Sequence, residues 1–170
     1  MAIKNGLSEE NIKEHIAEFQ SVERRYQLLG PVGNITVIDD YAHHPSSVKV
    51  ILETAKNQFK SRPIWCFFQS HTYTRTKVLL KEFGLAFSDA DAVIVTDIFS
   101  SAREQMVTID ANELANEIGK YHGNVQYVPR EKLLDFMRRN LPSNAVAITM
   151  GAGDIYKVGR QFVSDASKLN

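Results

Sequence analysis

The stretch that decides the fold runs from residue 34 to residue 69 and reads NITVIDDYAHHPSSVKVILETAKNQFKSRPIWCFFQ. It opens with a short β-branched run and closes with the continuously apolar run PIWCFFQ. Between these runs, Val48, Ile51, Leu52 and Ala55 recur at the spacing of one helix face. A strand, a helix and a second buried strand in this order predict two parallel strands joined by a right-handed crossover.

The same alternation continues to the end of the chain. Strands are predicted at 91–99, 124–129 and 144–150, and helices at 77–87, 110–122, 130–141 and 154–167, with Asp110 as an N-cap. Upstream, RRYQLLGPVGNITVID (24–39) indicates two strands joined by a turn at GPVG. The pattern predicts an α/β, Rossmann-like three-layer sandwich. Its sheet is mostly parallel, with about six strands and one antiparallel edge strand.

The first residues break this rhythm. LSEENIKEHIAEFQ (7–20) predicts a helix with Ser8 as its cap and with Ile12, Ile16 and Phe19 on one face. This helix has no obvious partner in the alternating pattern. The length of 170 residues suits one domain with a short appendage, so we predict a residual helix or linker over residues 1–22 and one domain over 23–170.

Bulk composition narrows the possible settings. Lys+Arg and Asp+Glu are both 20, so the net charge is zero and a broad electrostatic surface for nucleic acid or an acidic membrane is not expected. The single cysteine, Cys66, lies in an apolar run and is expected to be a small core residue. The sequence has no apolar leader segment. We therefore expect a soluble protein in the reducing cytoplasm.

The strand ends predict where ligands bind. In an open α/β sheet, ligands lie beyond the carboxyl ends of the strands. Four of the five parallel strands are followed there by polar segments. The remaining strand ends in VPRE (128–131), which is interpreted as an ordinary loop. The four segments are DDYAHHP (39–45), QSHTYTRT (69–76), DIFSSARE (97–104) and GAGD (151–154).

Several of these features also have simpler interpretations. Asp39 or Asp40 could cap the helix that begins near Pro45, and Arg103 and Glu104 could form a solvated pair. GAGD lacks the spacing of a dinucleotide fingerprint, although its glycines would let a ligand or another loop approach the backbone. The sequence also contains no G-x-x-x-x-G-K-[ST] phosphate loop.

Two alternative functions remain at this point. Aspartates and histidines in DDYAHH could bind Mn²⁺ in a metal-dependent phosphoesterase of the Asp-His-His type, an octahedral site that needs further carboxylates. The candidate ligands are Asp39, Asp40, His43, His44 and, from another strand end, Asp97. The fold pattern is also compatible with a non-catalytic, flavodoxin-like binding module.

Taken together, FQSVERRYQLLG, VIDDYAHHPSSV, FFQSHTYTRT, DIFSSARE and MGAGDIYKVG resemble the C-terminal domain of the Mur ligases of peptidoglycan synthesis. The resemblance extends from about Phe19 to Val163. Mur ligases have three domains, and the central one is an ATPase that carries the phosphate loop. The resemblance implies that residues 1–22 are the end of that central domain and that the rest brings in the amino acid.

The resemblance also implies roles for individual residues. Within the family, the closest match is to the branch that joins L-alanine to UDP-N-acetylmuramate, with ATP and Mg²⁺ in the full-length enzyme and none expected bound to this chain. Tyr41, His43, His71 and Arg75 match amino-acid-binding positions, and Arg25 and Asp40 match nucleotide-binding positions. No catalytic residue and no metal ligand is expected in this chain, and His44 is expected to be structural.

The sequence departs from the commoner family pattern at three positions. Ser70 and Thr72 stand in FQSHT where many members have FQPHR, which leaves Arg75 with more of the work of binding a carboxylate. GAGD replaces the commoner GAGN at Asp154. A family member that attaches a preformed tripeptide to the same sugar shares these motifs, so it remains the alternative function.

Overall fold

A computed structural model describes Ser8 and residues 22–100 and 109–168. Apart from Ser8, the predicted helix over 7–20 lies outside the described residues, and so do Arg103 and Glu104. The strands are β1 Gln27–Val32, β2 Ile35–Asp40, β3 Ile64–Phe68, β4 Ala92–Val95, β5 Val125–Tyr127 and β6 Val146–Met150. The helices are α1 Pro45–Gln58, α2 Tyr73–Val78, α3 Leu80–Gly84, α4 Ala111–Gly119, α5 Leu133–Asn140 and α6 Tyr156–Ser167, and a 3₁₀ turn spans Arg130–Lys132.

The strands form one sheet in the order β1-β2-β6-β3-β4-β5. β1 pairs with β2 in antiparallel fashion, and every other neighbouring pair is parallel. The predicted fold class is therefore confirmed, including the antiparallel edge strand. The hairpin turn falls at Gly33, whose φ of +56° lies in the left-handed region that glycine adopts without strain.

Helices cover both faces of the sheet, because each strand presents apolar side chains in both directions. On one face, Cys66 and Phe68 pack with Leu52 of α1 and Leu114 of α4. On the other face, Phe67 and Ile94 pack with α5 and α6. Cys66 is fully buried, as predicted, and burial raises the pKa of its thiol. Among the described residues, no helix is both long enough and apolar enough to cross a bilayer.

One predicted helix differs from the structure in two respects. The helix predicted over 77–87 is two short helices, α2 and α3, that meet at Leu79, where ψ is +17°. α2 also begins earlier than predicted, at Tyr73. The sequence analysis missed this start because the first turn consists of polar residues that carry no apolar periodicity. The N-cap of α4 is Asp110, as predicted, and its side chain accepts a hydrogen bond from Glu113 N at 2.9 Å.

Candidate functional site: the carboxyl edge of the sheet

The order of the strands brings four loops together at the carboxyl edge. β6 lies between β2 and β3, and β4 follows β3, so the loops after these four strands are neighbours. Residue 71 even forms an isolated parallel bridge with Phe99 in the loop after β4. The side chains that follow these strands are therefore held within a short distance of one another by the sheet itself.

The four residues predicted to bind an amino acid lie together at this edge. The ring centroids of Tyr41 and His43 are 5.3 Å apart, and those of His43 and His71 are 6.1 Å apart. Arg75 lies in the first turn of α2, and its Nη1 donates a hydrogen bond to His71 O at 3.0 Å. Two loops separated by a strand thus contribute to one cluster.

Phe99 extends this cluster and was not singled out from the sequence. Its ring stacks on the His71 ring, with centroids 5.7 Å apart and planes inclined by 23°. We call the rings of Tyr41, His43, His71 and Phe99 the ring row. The row crosses three strand ends, and Phe99 is its apolar end. A single aromatic residue in DIFSSARE carries no motif, so the sequence alone offered little signal for it.

The two acids of DDYAHHP face different partners. Asp40 is almost fully buried, and its carboxylate accepts hydrogen bonds from Tyr26 N at 2.7 Å and from Ala42 N at 2.6 Å. Asp40 nevertheless lines, with Arg25, a cleft of about 440 Å³ beside the start of α1. The two residues predicted to bind a nucleotide therefore lie in one cleft, which is lined further by Ser46 and Ser47.

Neither acid caps α1, so that alternative interpretation is wrong. The N-cap is His44, whose Nδ1 accepts a hydrogen bond from Ser46 N at 3.4 Å and lies 2.8 Å from Ser46 Oγ. Pro45 follows at the first helical position, where its missing N–H costs nothing. The structural role expected for His44 is confirmed, while its neighbour His43 points its ring into the ring row.

Asp39 is bound by Arg24, a residue that the sequence analysis passed over in favour of Arg25. Arg24 Nε lies 3.0 Å from Asp39 Oδ2, and Asp39 is completely buried. Burial raises the pKa of Asp39, against the opposing effect of hydrogen bonds from Thr149 and Arg24. The sequence signal for this ion pair was the presence of two adjacent arginines and two adjacent aspartates on neighbouring predicted strands. Which arginine binds which aspartate depends on the tertiary structure.

The glycines of GAGD allow close packing between loops. A Cβ on Gly151, where φ is +147°, would lie 2.3 Å from Gln69 O. A Cβ on Gly153 would lie 2.6 Å from Phe99 Cγ. The loop after β6 therefore presses directly against the loops after β3 and β4, and this contact fixes Phe99 beside His71.

The loop after β5 is not ordinary loop, contrary to the sequence interpretation. Arg130 Nε lies 3.3 Å from Asp154 Oδ1, and Arg130 N donates to Asp97 Oδ2 at 2.8 Å. Tyr127 Oη donates a hydrogen bond to Asp97 Oδ1. Gln69 Nε2 donates to Asp154 Oδ1 at 3.1 Å. The loops after β3, β4, β5 and β6 are thus tied into one polar network.

This network also bears on the metal-site alternative. Asp39 is engaged by Arg24, Asp97 by Tyr127 and Arg130, and His44 by α1. Within residues 22–100 and 109–168, no group of three His, Cys, Asp or Glu side chains could hold a metal ion. The geometry of these residues gives no support to a phosphoesterase site.

Comparison with known proteins points to one family. The family model described as "Mur ligase, glutamate ligase domain" matches residues 24–153. The UDP-N-acetylmuramate–L-alanine ligase of Acetivibrio thermocellus is 44% identical over 161 residues, which cover 94% of this chain and 34% of that protein. The enzyme of the same name from Caldanaerobacter subterraneus subsp. tengcongensis is 37% identical, over 96% of this chain and 35% of its own length.

Comparison of structures agrees with the comparison of sequences. The crystal structure of UDP-N-acetylmuramate–alanine ligase from Thermotoga maritima superposes with a TM-score of 0.79 and 27% identity, covering 99% of this chain and 36% of that one. The chain therefore spans about a third of the length of the relatives it matches. By the match over residues 24–153 and the shared fold, this chain belongs to the Mur ligase family and carries that family's C-terminal, glutamate ligase domain.

Proposed function

We propose that this chain is the amino-acid-binding part of an ATP-dependent amide ligase. The whole enzyme would join L-alanine to UDP-N-acetylmuramate in the cytoplasm, during peptidoglycan synthesis. Residues 1–22 would be the end of the central ATPase domain, and 23–170 the C-terminal domain. The support comes from relatives of that name, each about three times as long as the matching region.

The ring row and Arg75 provide the chemistry that a small amino acid needs. L-Alanine offers one methyl group of apolar surface, so its carboxylate is the natural handle. Arg75 can hold a carboxylate through two parallel hydrogen bonds. Of the five N–H donors of its guanidinium, one on Nη1 bonds the backbone carbonyl of His71. His71 can add a hydrogen bond. The positive charge of Arg75 also disfavours the protonated form of the substrate amine, and only the neutral amine is a nucleophile.

Tyr41 and His43 belong to the same loop as Asp40, which lines the cleft of Arg25. In the proposed reaction, ATP phosphorylates the lactyl carboxylate of UDP-N-acetylmuramate, and the amine of L-alanine attacks the acyl phosphate. A carbon–nitrogen bond forms, and inorganic phosphate leaves with the oxygen of the broken bond. Tyr41 and His43 would orient the amine towards that carbonyl.

Arg25 and Asp40 would contact ATP from this domain. Arg25 lines the cleft of about 440 Å³ and supplies a cation for phosphate oxygens. We assign the Mg²⁺ that accompanies ATP to the central ATPase domain of the whole enzyme. The phosphate loop belongs there as well, because this sequence has none.

Domain closure would complete the site. An acyl phosphate hydrolyses readily in water, so the amine and the acyl phosphate must meet in a space from which water is excluded. One domain cannot enclose that space. We therefore expect this chain alone to be inactive, with the N-terminal and central domains as its partners.

The observation that carries the proposal is the meeting of His43 and His71, with Arg75 bonded to residue 71. The test is a chimaera in which this chain replaces the matching third of the Acetivibrio thermocellus ligase. We expect ATP- and UDP-N-acetylmuramate-dependent phosphate release that requires L-alanine. The truncated ligase without any C-terminal domain is the control and should release none.

A ligase that adds a preformed tripeptide remains the second candidate. The binding of a free carboxylate by Arg75 distinguishes the two candidates. In a tripeptide, the first carboxylate is already an amide, which Arg75 cannot hold as an ion pair. L-Alanine should therefore support phosphate release at lower concentrations than a tripeptide that begins with L-alanine. A preference of the chimaera for the tripeptide would replace the first candidate by the second.

A further inference from the structure

The backbone at residues 24–26 adopts an unusual conformation between the cleft of Arg25 and the ring row. Arg24 has a φ of +61° and Tyr26 a φ of +46°. Side chains with a Cβ rarely adopt this left-handed region, and such residues persist where the surrounding contacts over-determine them. Arg24 and Tyr26 flank Arg25 and form a turn with it. As a result, the Arg24 side chain bonds Asp39 while the Arg25 side chain lines the cleft.

Hydrogen bonds join this turn to the loop that carries the ring row. Tyr41 N donates to Arg24 O at 2.8 Å, and Tyr26 N donates to Asp40 Oδ2 at 2.7 Å. The side chain of Gln27 closes the turn by accepting from Arg24 N at 3.0 Å. The position of the turn therefore sets the position of Asp40 and Tyr41.

Each of the three guanidinium nitrogens of Arg24 donates a hydrogen bond to the protein. Nε binds Asp39 at 3.0 Å, Nη1 donates to Gly153 O at 3.2 Å and Nη2 donates to Gly151 O. Its planar group lies 5.0 Å from the centroid of the Tyr41 ring and 4.5 Å from that of Tyr156. Such stacking of a guanidinium on aromatic rings is attractive, more so where water is excluded.

We propose that Arg24 is a positioning residue that fixes the Tyr41 ring for amino-acid binding, an inference that rests on the proposed function. Arg24 has no free nitrogen for a substrate among its described contacts, so it acts through Tyr41. It also connects the loop after β2 with the loop after β6, across buried Asp39. The Arg24 side chain bonds Asp39 and stacks on Tyr41, whereas Arg25 lines the nucleotide cleft, so a replacement that changes only the Arg24 side chain should act on the amino-acid side.

The kinetic test is Arg24→Lys in the chimaera. Lysine keeps a cation for Asp39, but it has neither the planar surface for two rings nor the fork for two carbonyls. We expect the KM for L-alanine to rise about tenfold, which corresponds to the loss of one strong stacked contact. The kcat should stay within about twofold and the KM for ATP should not change.

Arg62→Lys is the matched control at the opposite edge of the sheet. Arg62 shares two kinds of contact with Arg24: its guanidinium donates hydrogen bonds to backbone carbonyls, those of Asn34, Asn144 and Ala145, and lies over an aromatic ring, that of Phe59. It should lower the thermal midpoint without moving the KM for L-alanine. If Arg24→Lys behaves in the same way, its role is only structural and the proposal is overturned.

Tyr156→Leu is the second variant, because it leaves the buried ion pair intact. It removes one of the two rings that hold the Arg24 guanidinium in place. We expect a smaller rise in the KM for L-alanine, about threefold, at unchanged kcat. An unchanged KM in both Arg24→Lys and Tyr156→Leu contradicts the proposal even if one variant folds poorly.

A spectroscopic measurement on the 170-residue chain separates this inference from the proposed function. The ring resonances of Tyr41 should shift in Arg24→Lys, while those of Tyr127 should not. Absence of L-alanine-dependent activity in the unmodified chimaera would overturn the proposed function, whereas the positioning of the Tyr41 ring by Arg24 would still be tested by the resonances. Unshifted Tyr41 resonances in Arg24→Lys would overturn the positioning role of Arg24, whatever the activity.

Discussion

At the scale of single residues, Tyr127 has a distinctive titration. The hydrogen bond that it donates to Asp97 is the main cause that raises its pKa to about 12, with burial and the charge of Asp97 adding to the effect. A carboxylate stabilises the phenol as a donor and repels the phenolate. Tyr127 therefore keeps its proton in the native state at a pH where an unfolded tyrosine has lost it.

This shift makes stability depend on pH in alkaline solution. Between about pH 10 and the raised pKa, the unfolded state has lost a proton that the native state retains, so the free energy of unfolding falls as pH rises. Replacing the residue by Tyr127→Phe removes that contribution. Urea unfolding at a series of pH values should show a shallower decline for the variant. Parallel declines in the two proteins would rule out the hydrogen bond as the cause.

Gly151 is the glycine whose replacement should cost most. A methyl group there would lie 2.3 Å from Gln69 O, at a φ of +147° that alanine avoids. Gly151→Ala should lower the free energy of unfolding by about 3 kcal/mol, from overpacking and backbone strain together. Gly123→Ala is the control, because nothing lies within 4 Å of its added Cβ. Equal stability of the two variants in chemical denaturation would refute this account of the GAGD loop.

At the scale of elements, adjacent histidines have separable roles. His44 caps α1, whereas His43 belongs to the ring row. His44→Ala should destabilise the protein by about 1 kcal/mol through loss of the cap, and His44→Asp should restore stability. Neither variant should change the KM for L-alanine in the chimaera. A stability of His44→Ala equal to that of the unaltered protein would show that the cap contributes nothing.

The strand–helix alternation could be predicted because buried parallel strands and amphipathic helices leave strong periodic signals. The capping of α1 was harder, because it depends on the exact first residue of the helix: α1 begins at Pro45, so its N-cap is His44 and not Asp40, four positions earlier. The carboxylates of Asp39 and Asp40 are engaged by Arg24 and by backbone N–H groups of Tyr26 and Ala42 instead. These partners of Asp39 and Asp40 are set by tertiary contacts, which the local sequence does not reveal.

The clustering of the candidate residues was predictable to the same extent. Tyr41, His43, His71 and Arg75 follow strand ends, and the sheet order brings such ends together. Arg24 and Arg130 were missed because each acts through partners far along the chain, Asp39 and Asp154 respectively. Their pairing is a property of the folded sheet edge, while the letters around them resemble ordinary surface residues.

At the scale of the whole molecule, the proposed function gives this chain one part of an active site that other domains complete. The cleft of Arg25 and Asp40 and the ring row adjoin the same loop, so one approaching domain could cover both. We expect no steady-state ADP formation by the isolated 170-residue chain, because the phosphate loop is missing from its sequence. An assay with ATP and L-alanine tests this, and the chimaera is the positive control. Formation of ADP by the isolated chain would contradict the assignment of ATP hydrolysis to the central domain.

The most direct test of the amino-acid site is the KM of the chimaera for L-alanine after the replacement Arg75→Lys. Lysine keeps the charge but loses the paired hydrogen bonds to a carboxylate, so we expect the KM for L-alanine to rise at least about tenfold. The KM for ATP should stay the same, because Arg75 lies in the ring-row cluster and not in the cleft of Arg25. An unchanged KM for L-alanine would contradict the assignment of this sheet edge as the amino-acid site.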